Sequence, residues 1–262
     1  MLRARVLTAV VGAPLILSAA WLGGVPLLTV VAVLVLLAAG ELAGLVRSQG
    51  PHRGLAIAGA LTLVGAAYLL EEAYPGPAIT LVTVLFLVVF TVAYPRISPS
   101  SLCATLFVAL YASLLVYAYL LRVLPGGPGF LLLALTGTWA FDTFGYFVGV
   151  SVGRIRITPH LSPKKSLEGL LGGLAGAVLA AYAFALITGA VPLGLVLLLG
   201  LLIGVAAQLG DLVVSALKRF ADVKDAGSLL PGHGGVLDRF DSFLLTAPVV
   251  YYLVQVFGVS LP

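Results

Sequence analysis

Along most of this chain polar residues are too sparse to draw either an alternating or a 3.6-residue stripe. Apolar positions instead run on for about twenty residues at a time and stop at short turn-forming clusters. A helix crossing ~30 Å of hydrocarbon needs ~20 residues at ~1.5 Å each. On that ruler nine spans are predicted, roughly 5–23, 25–46, 54–73, 77–94, 101–122, 129–150, 167–188, 192–215 and 241–259. Gly23-Gly24, Gly50-Pro51, Pro75-Gly76-Pro77, Pro95 with Pro99, Pro125-Gly126-Gly127-Pro128 and Pro192 separate them. Only two connections are long, about 151–166 and 216–240, and both are polar. Leu2-Arg3-Ala4-Arg5 could open a cleaved signal peptide. Its apolar run continues to about Leu22 and meets another span at once, which favours a retained first helix. The pattern predicts an all-α polytopic integral membrane protein.

Composition agrees: 61% hydrophobic and 9% charged residues, with a mean hydropathy of +1.18, cannot solvate a globular surface of this size. The formal charge of +4 is modest, and its distribution says more than its sum. With the N-terminus inside, thirteen of the fourteen Lys and Arg, all but Arg122, fall on the cytoplasmic face of the membrane. Glu71 and Glu72 mark the other face, and the C-terminus is expected outside. A single cysteine, Cys103, excludes an internal disulfide and a Cys-rich metal site.

Three acids lie within or at the edge of spans in the second half: Asp142, Glu168 and Asp211. Charge inside a bilayer costs at least a few kcal/mol and marks a site or a pathway more often than packing. All three are expected at similar depth around one cavity open to the cytoplasm. Glu41, near the inner end of the second span, either snorkels to the surface or joins a site. Gln208, Asp211, Ser215 and Lys218 share one helical face, and Thr138, Asp142 and Tyr146 repeat the habit more weakly. Gly145, Gly149 and Gly153, with Gly169, Gly172, Gly173 and Gly176, suit close helix packing in lipid. The first half, 1–100, reads as a transmembrane scaffold; the polar features concentrate in 101–262.

No GxxxxGK[ST] phosphate loop, HExxH zinc helix or GxSxG elbow occurs. What remains is carboxylates beside Lys and Arg. Carboxylates with few nitrogen or sulfur ligands suit Mg²⁺, which keeps waters and bridges phosphates, with room for a second cation. Lys and Arg suit phosphate oxygens, and together they suit phosphoryl or nucleotidyl transfer. Asp211 and Asp238 are the expected metal ligands, with Asp142 a further one. Asp241, one turn after Asp238, either reinforces that cluster or caps the helix. Lys218, Arg219, Lys224 and Arg239 would grip phosphates. For a positive-inside loop, contact with lipid headgroups is the competing role, and Lys224 is the most exposed to it. Pro231-Gly232-His233-Gly234-Gly235 would expose backbone N–H groups as an anion nest, with His233 a phosphate donor or a solvent-exposed turn residue. Ser166 is a natural N-cap with Glu168 in the first turn, so Lys164 and Lys165 either lead a capped helix or bind phosphates at its N-terminus.

The stretch Ser215–Asp241 resembles the signature of the phosphatidate cytidylyltransferase (CDP-diacylglycerol synthase) family. Ser215, Lys218, Arg219, Lys224, Asp225, Pro231, His233, Gly234, Gly235, Asp238, Arg239 and Asp241 meet its fixed positions. Trp139 through Tyr146 and Ser162-Pro163-Lys164-Lys165-Ser166 with Glu168-Gly169 resemble the family too, with Gly145 where Ala and Ser166 where Thr is usual. The likeness covers about 136–259. It implies that CTP and phosphatidic acid give CDP-diacylglycerol and pyrophosphate in phospholipid biosynthesis, by attack of the lipid phosphate on the CTP α-phosphorus. It implies catalytic roles for Asp211, Asp238, Lys218, Arg219 and Arg239, substrate contacts from Lys164, Lys165, Ser215, Lys224, His233, Gly234 and Gly235, and a homodimer in the cell membrane. No nucleic-acid partner is expected. A CTP-dependent lipid kinase, an anion transporter and a noncatalytic lipid-binding scaffold are the competing readings.

Overall fold

The computed structural model describes residues 12, 14–126, 128–189, 192–229 and 234–258. Among these, eight helices are long and apolar enough to cross a membrane. They are α1 Gly24–Leu45, α2 Arg53–Leu70, α3 Pro75–Ala93, α4 Pro99–Val123, α5 Gly129–Val152, α6 Leu167–Thr188, α7 Leu193–Phe220 and α8 Leu237–Phe257. The chain is an all-α polytopic membrane protein, and these helices fall on the second to ninth predicted spans. The first, 5–23, lies partly outside the described residues; within it 14–22 is helical.

The turn residues set the boundaries as expected. α1 follows Gly23, whose φ of 66° lies in the left-handed region, and α6 ends on Gly189 at φ 64°. Ser98 accepts the Ser101 N–H at 3.1 Å and is followed by Pro99 at the first position of α4. Ser166 likewise accepts the Gly169 N–H at 3.1 Å, so the expected N-cap is in place. Large apolar side chains such as Leu81, Val84, Val88, Leu179 and Ile187 remain exposed, which suits a lipid environment.

Contacts divide the chain into two compact units: Met1–Val123 with Leu217–Phe240, and Leu124–Ala216 with Asp241–Pro262. In the first, α1, α2 and α4 pack on one another and α3 against α2 and α4. The contact faces are built of small residues and leucine: Ala38, Ala39, Leu42, Ala56, Ala60, Leu63, Ala109 and Ala112 are fully buried. Gly59 has Phe86 lying directly on its backbone. Arg122 donates from Nε to the Ala20 carbonyl at 3.0 Å, tying α4 to the end of the 14–22 helix.

In the second unit the glycines expected to pack do so. A Cβ on Gly169 would stand 3.0 Å from the Gly145 carbonyl oxygen and 3.2 Å from Gly149 Cα, so α5 and α6 meet backbone to backbone. α7 joins them through Gly204, where Leu174 and Phe141 press in, and through Ile203 on Gly137. Leu133, Ala134, Ala177, Ile203, Ala207, Leu244 and Ala247 form the buried core.

Candidate functional site

The α5–α6 contact leaves a cavity of about 460 Å³ beside it, lined by Asp142 and Tyr146 from α5, Gln208 and Asp211 from α7, and Arg156, Lys164, Lys165 and Ser166 from the 153–166 loop. The loop is fixed by its own backbone. Leu167 N–H donates to the Ile155 carbonyl at 2.8 Å and Ile157 N–H to Lys165 at 3.2 Å, making an isolated bridge between Arg156 and Ser166. Arg156 Nη1 also donates to the Lys164 carbonyl at 2.7 Å. Glu168 completes the clasp by accepting the Arg154 N–H at 3.0 Å and the Ile155 N–H at 3.3 Å. Glu168 thus shapes the loop and does not line the cavity, where the sequence had suggested a third wall acid.

This clasp delivers Lys165 to Asp211, with Nζ 2.5 Å from Oδ2. The ammonium has no other hydrogen-bond partner among the described residues. Ser215 Oγ donates to the other oxygen of Asp211 at 3.1 Å, and Ser242 Oγ donates to Asp142 Oδ1 at 3.5 Å, the limit of a hydrogen bond. Gln208 Nε2 is buried at the cavity wall and has no partner among the described residues. Its place in the polar stripe of α7 was visible in the sequence, but stripe membership alone did not make it a site residue.

The second group forms in the other unit. Lys218, on the last turn of α7, donates from Nζ to Asp238 Oδ1 at 2.7 Å, and only 6% of the Asp238 side chain is exposed. Asp238 Oδ2 accepts the Ala226 N–H at 2.7 Å and the Gly235 N–H at 2.9 Å, folding the connection onto the start of α8. Gly234, at φ 80°, lets the chain pass where a Cβ would come within 2.6 Å of that oxygen. Glu41, from α1, accepts the Val236 and Leu237 N–H groups at 2.9 Å each. Lys224, Arg219 and Arg239 are exposed. Asp241 lies inside α8, four residues past its start, and its Oδ1 accepts the Ser242 N–H at 2.8 Å. Its backbone position is therefore beyond the cap. Pro231, Gly232 and His233 lie outside the described residues.

Of the expected residues, the structure gathers Asp142, Asp211, Lys164 and Lys165 around one cavity, and Lys218, Asp238, Gly234 and Gly235 into one hydrogen-bonded turn. Among the described residues no three His, Cys, Asp or Glu side chains cluster as a metal site. Mg²⁺ is held by one or two carboxylates and keeps its waters, and Asp142 and Asp211 at the cavity are carboxylates of that kind. Asp211 uses two of a carboxylate's about four acceptor sites, and Lys165 Nζ already sits against it as a cation would. Asp238 uses three.

Fold and site together define a polytopic membrane protein whose polar interior is made of carboxylates and ammonium groups. The sequence profile of the Cytidylyltransferase family matches residues 3–257, and the chain belongs to that family. It is 46% identical over 133 residues to a phosphatidate cytidylyltransferase of Bacillus subtilis, covering 50% of this chain and 49% of that one. To the enzyme of the same name from Thermotoga maritima it is 43% identical over 131 residues, 48% of each chain. To that of Synechocystis it is 46% identical over 138 residues, 50% of this chain and 44% of the relative. The chain thus matches about half the length of these curated relatives.

Proposed function

We propose that this protein is a phosphatidate cytidylyltransferase, joining CTP to phosphatidic acid to give CDP-diacylglycerol and pyrophosphate at the cytoplasmic face of the cell membrane. The observation that carries the reading is the cavity in which Lys165 meets Asp211 beside Asp142, within a membrane-spanning member of the Cytidylyltransferase family. The excess of Lys and Arg in alternate loops supports the cytoplasmic placement.

The reaction is a displacement at phosphorus. An oxygen of the lipid phosphate bonds to the α-phosphorus of CTP, the bond from that phosphorus to the α–β bridging oxygen breaks, and pyrophosphate leaves with the electron pair. A phosphate monoester is largely ionised near neutral pH, so no strong general base is needed; the difficulty is bringing two anions together. Lys164, Lys165 and Arg156 set positive charge around the cavity, and all three stand on the one short loop that Glu168 clasps. Lys218, Arg219, Arg239 and Lys224 supply further cations, with Gly234 and His233 as hydrogen-bond donors to phosphate and Ser215 orienting Asp211; Gly235, expected among those donors, instead gives its N–H to Asp238. Asp142 and Asp211 would hold Mg²⁺ at the cavity, and Asp238, with Asp241 nearby in sequence, is the candidate for a second cation. Bound there, the metal would neutralise phosphate oxygens and stabilise the leaving group.

The test is a product assay with the purified chain, labelled CTP, Mg²⁺ and phosphatidate. CDP-diacylglycerol and pyrophosphate are expected, with both lost on Asp211→Ala. Release of CDP would make the protein a lipid kinase. Solute uptake into vesicles, or lipid binding indifferent to chelation, in either case without nucleotide turnover, would make it a transporter or a scaffold.

A further inference from the structure

Glu41 is a buried acid that the proposed chemistry leaves unused. It stands near the end of the apolar helix α1 and is 9% exposed. A snorkelling acid would reach water. Glu41 instead spends both oxygens on the amides of Val236 and Leu237, at 2.9 Å each. Those N–H groups enter α8 and have no partner within the helix. The fit is close: a Cβ on Gly227 would come within 2.5 Å of Oε1, and one on Gly235 would collide with the carboxylate. Three successive amides are thereby divided between two acids, Gly235 going to Asp238 and the next two to Glu41. Lys218 faces Asp238 from α7 and offsets its charge.

We infer that Glu41 is a positioning residue for the reaction: from the first half of the chain it fixes the Gly234–Leu237 turn, and through it the placement of the Asp238 carboxylate. The inference rests on the proposed role of Asp238. A carboxylate that merely filled space would tolerate replacement by its amide. In Glu41→Gln the carboxamide would accept only one of the two N–H groups and turn its own N–H₂ toward the other, leaving the turn held at one point.

Glu41→Gln and Glu41→Asp in the full chain, reconstituted with phosphatidate, test this. Per folded protein, E41Q is expected to lose tenfold or more in kcat and to need about tenfold more Mg²⁺ for half-activation, the range seen when supporting residues around a metal ligand are changed. KM for CTP should move less than threefold, and E41D, which keeps the charge, should recover part of kcat. Hydrogen exchange at the Val236 and Leu237 amides should quicken at least tenfold in E41Q. Wild-type kcat and Mg²⁺ demand per folded E41Q molecule, with or without a lower Tm, overturns the inference. If the wild-type chain makes no CDP-diacylglycerol, the proposed reaction fails on its own. The exchange rates then still decide whether Glu41 fixes the turn: unchanged rates refute it.

Discussion

The Lys218–Asp238 pair makes an unequal prediction for its two partners. Their side chains are 18% and 6% exposed, so solvent screens the 2.7 Å contact little. Removing Lys218 deletes one charge-assisted bond but leaves Asp238 with the Ala226 and Gly235 amides, both on Oδ2. Such a bond contributes about 1.5–3 kcal/mol, so Lys218→Ala should destabilise by that amount. Removing Asp238 strands an ammonium and two partly buried N–H donors. Each stranded amide adds about 1–3 kcal/mol, which takes Asp238→Ala to at least about 3.5 kcal/mol. The double variant should be no worse than Asp238→Ala, because the ammonium is gone as well. Thermal unfolding in detergent, followed through the fluorescence of the two tryptophans, Trp21 and Trp139, reads these differences. For a chain of this size 1 kcal/mol shifts Tm by about 2–4 °C. Equal losses from the two single variants, or additive losses in the double, would show that Asp238 is not the hub of this turn.

Three further outcomes follow from the second unit. Lys165→Met should reduce kcat/KM for CTP about a hundredfold or more while the protein still folds, and a loss below threefold would remove Lys165 from the reaction. Gly169→Ala places a methyl 3.0 Å from the Gly145 carbonyl oxygen and should destabilise by about 1–3 kcal/mol, whereas Gly65→Ala, with open space around it, should be neutral or stabilising; reversal of that order in thermal unfolding would refute the backbone contact. Ser166→Ala removes the α6 cap and should cost about 1 kcal/mol by the same measurement, with Ser166→Thr close to wild type.

The helices were legible because lipid imposes a length and an apolar content on every span, and turn residues punctuated them. Gly145 and Gly169 were legible as packing residues for the same reason: small side chains at helical spacing admit a second backbone. Asp142 and Asp211 stood out because charge in an apolar run is costly. Glu168 shared that prominence but serves the loop, since a first-turn acid and a wall acid look alike until the backbone of Arg154 and Ile155 is seen to return. Gln208 shows the opposite failure, because a neutral amide carries little insertion cost and so little signal. Glu41 could not be decided at all. Its partners are nearly two hundred residues away, and they are backbone amides, which leave no trace in side-chain identity.

Glu41 and Glu168 then explain why acids appear outside the cavity. Each polar connection must leave the helical ladder, and each frees N–H groups that need other acceptors. In both units one carboxylate takes two of these donors: Glu168 those of Arg154 and Ile155, Glu41 those of Val236 and Leu237. A hydroxyl or a backbone carbonyl could accept them as well, but a carboxylate has two oxygens set to receive two neighbouring amides and forms the stronger, charge-assisted bonds. The loops that carry Lys164, Lys165, Gly234 and Gly235 are thereby fixed without drawing on Asp142 or Asp211. Those two acids stay at the cavity with acceptor sites to spare. The division separates acids that hold backbone from acids that face the cavity, so the proposed chemistry does not have to use every acid on these connections.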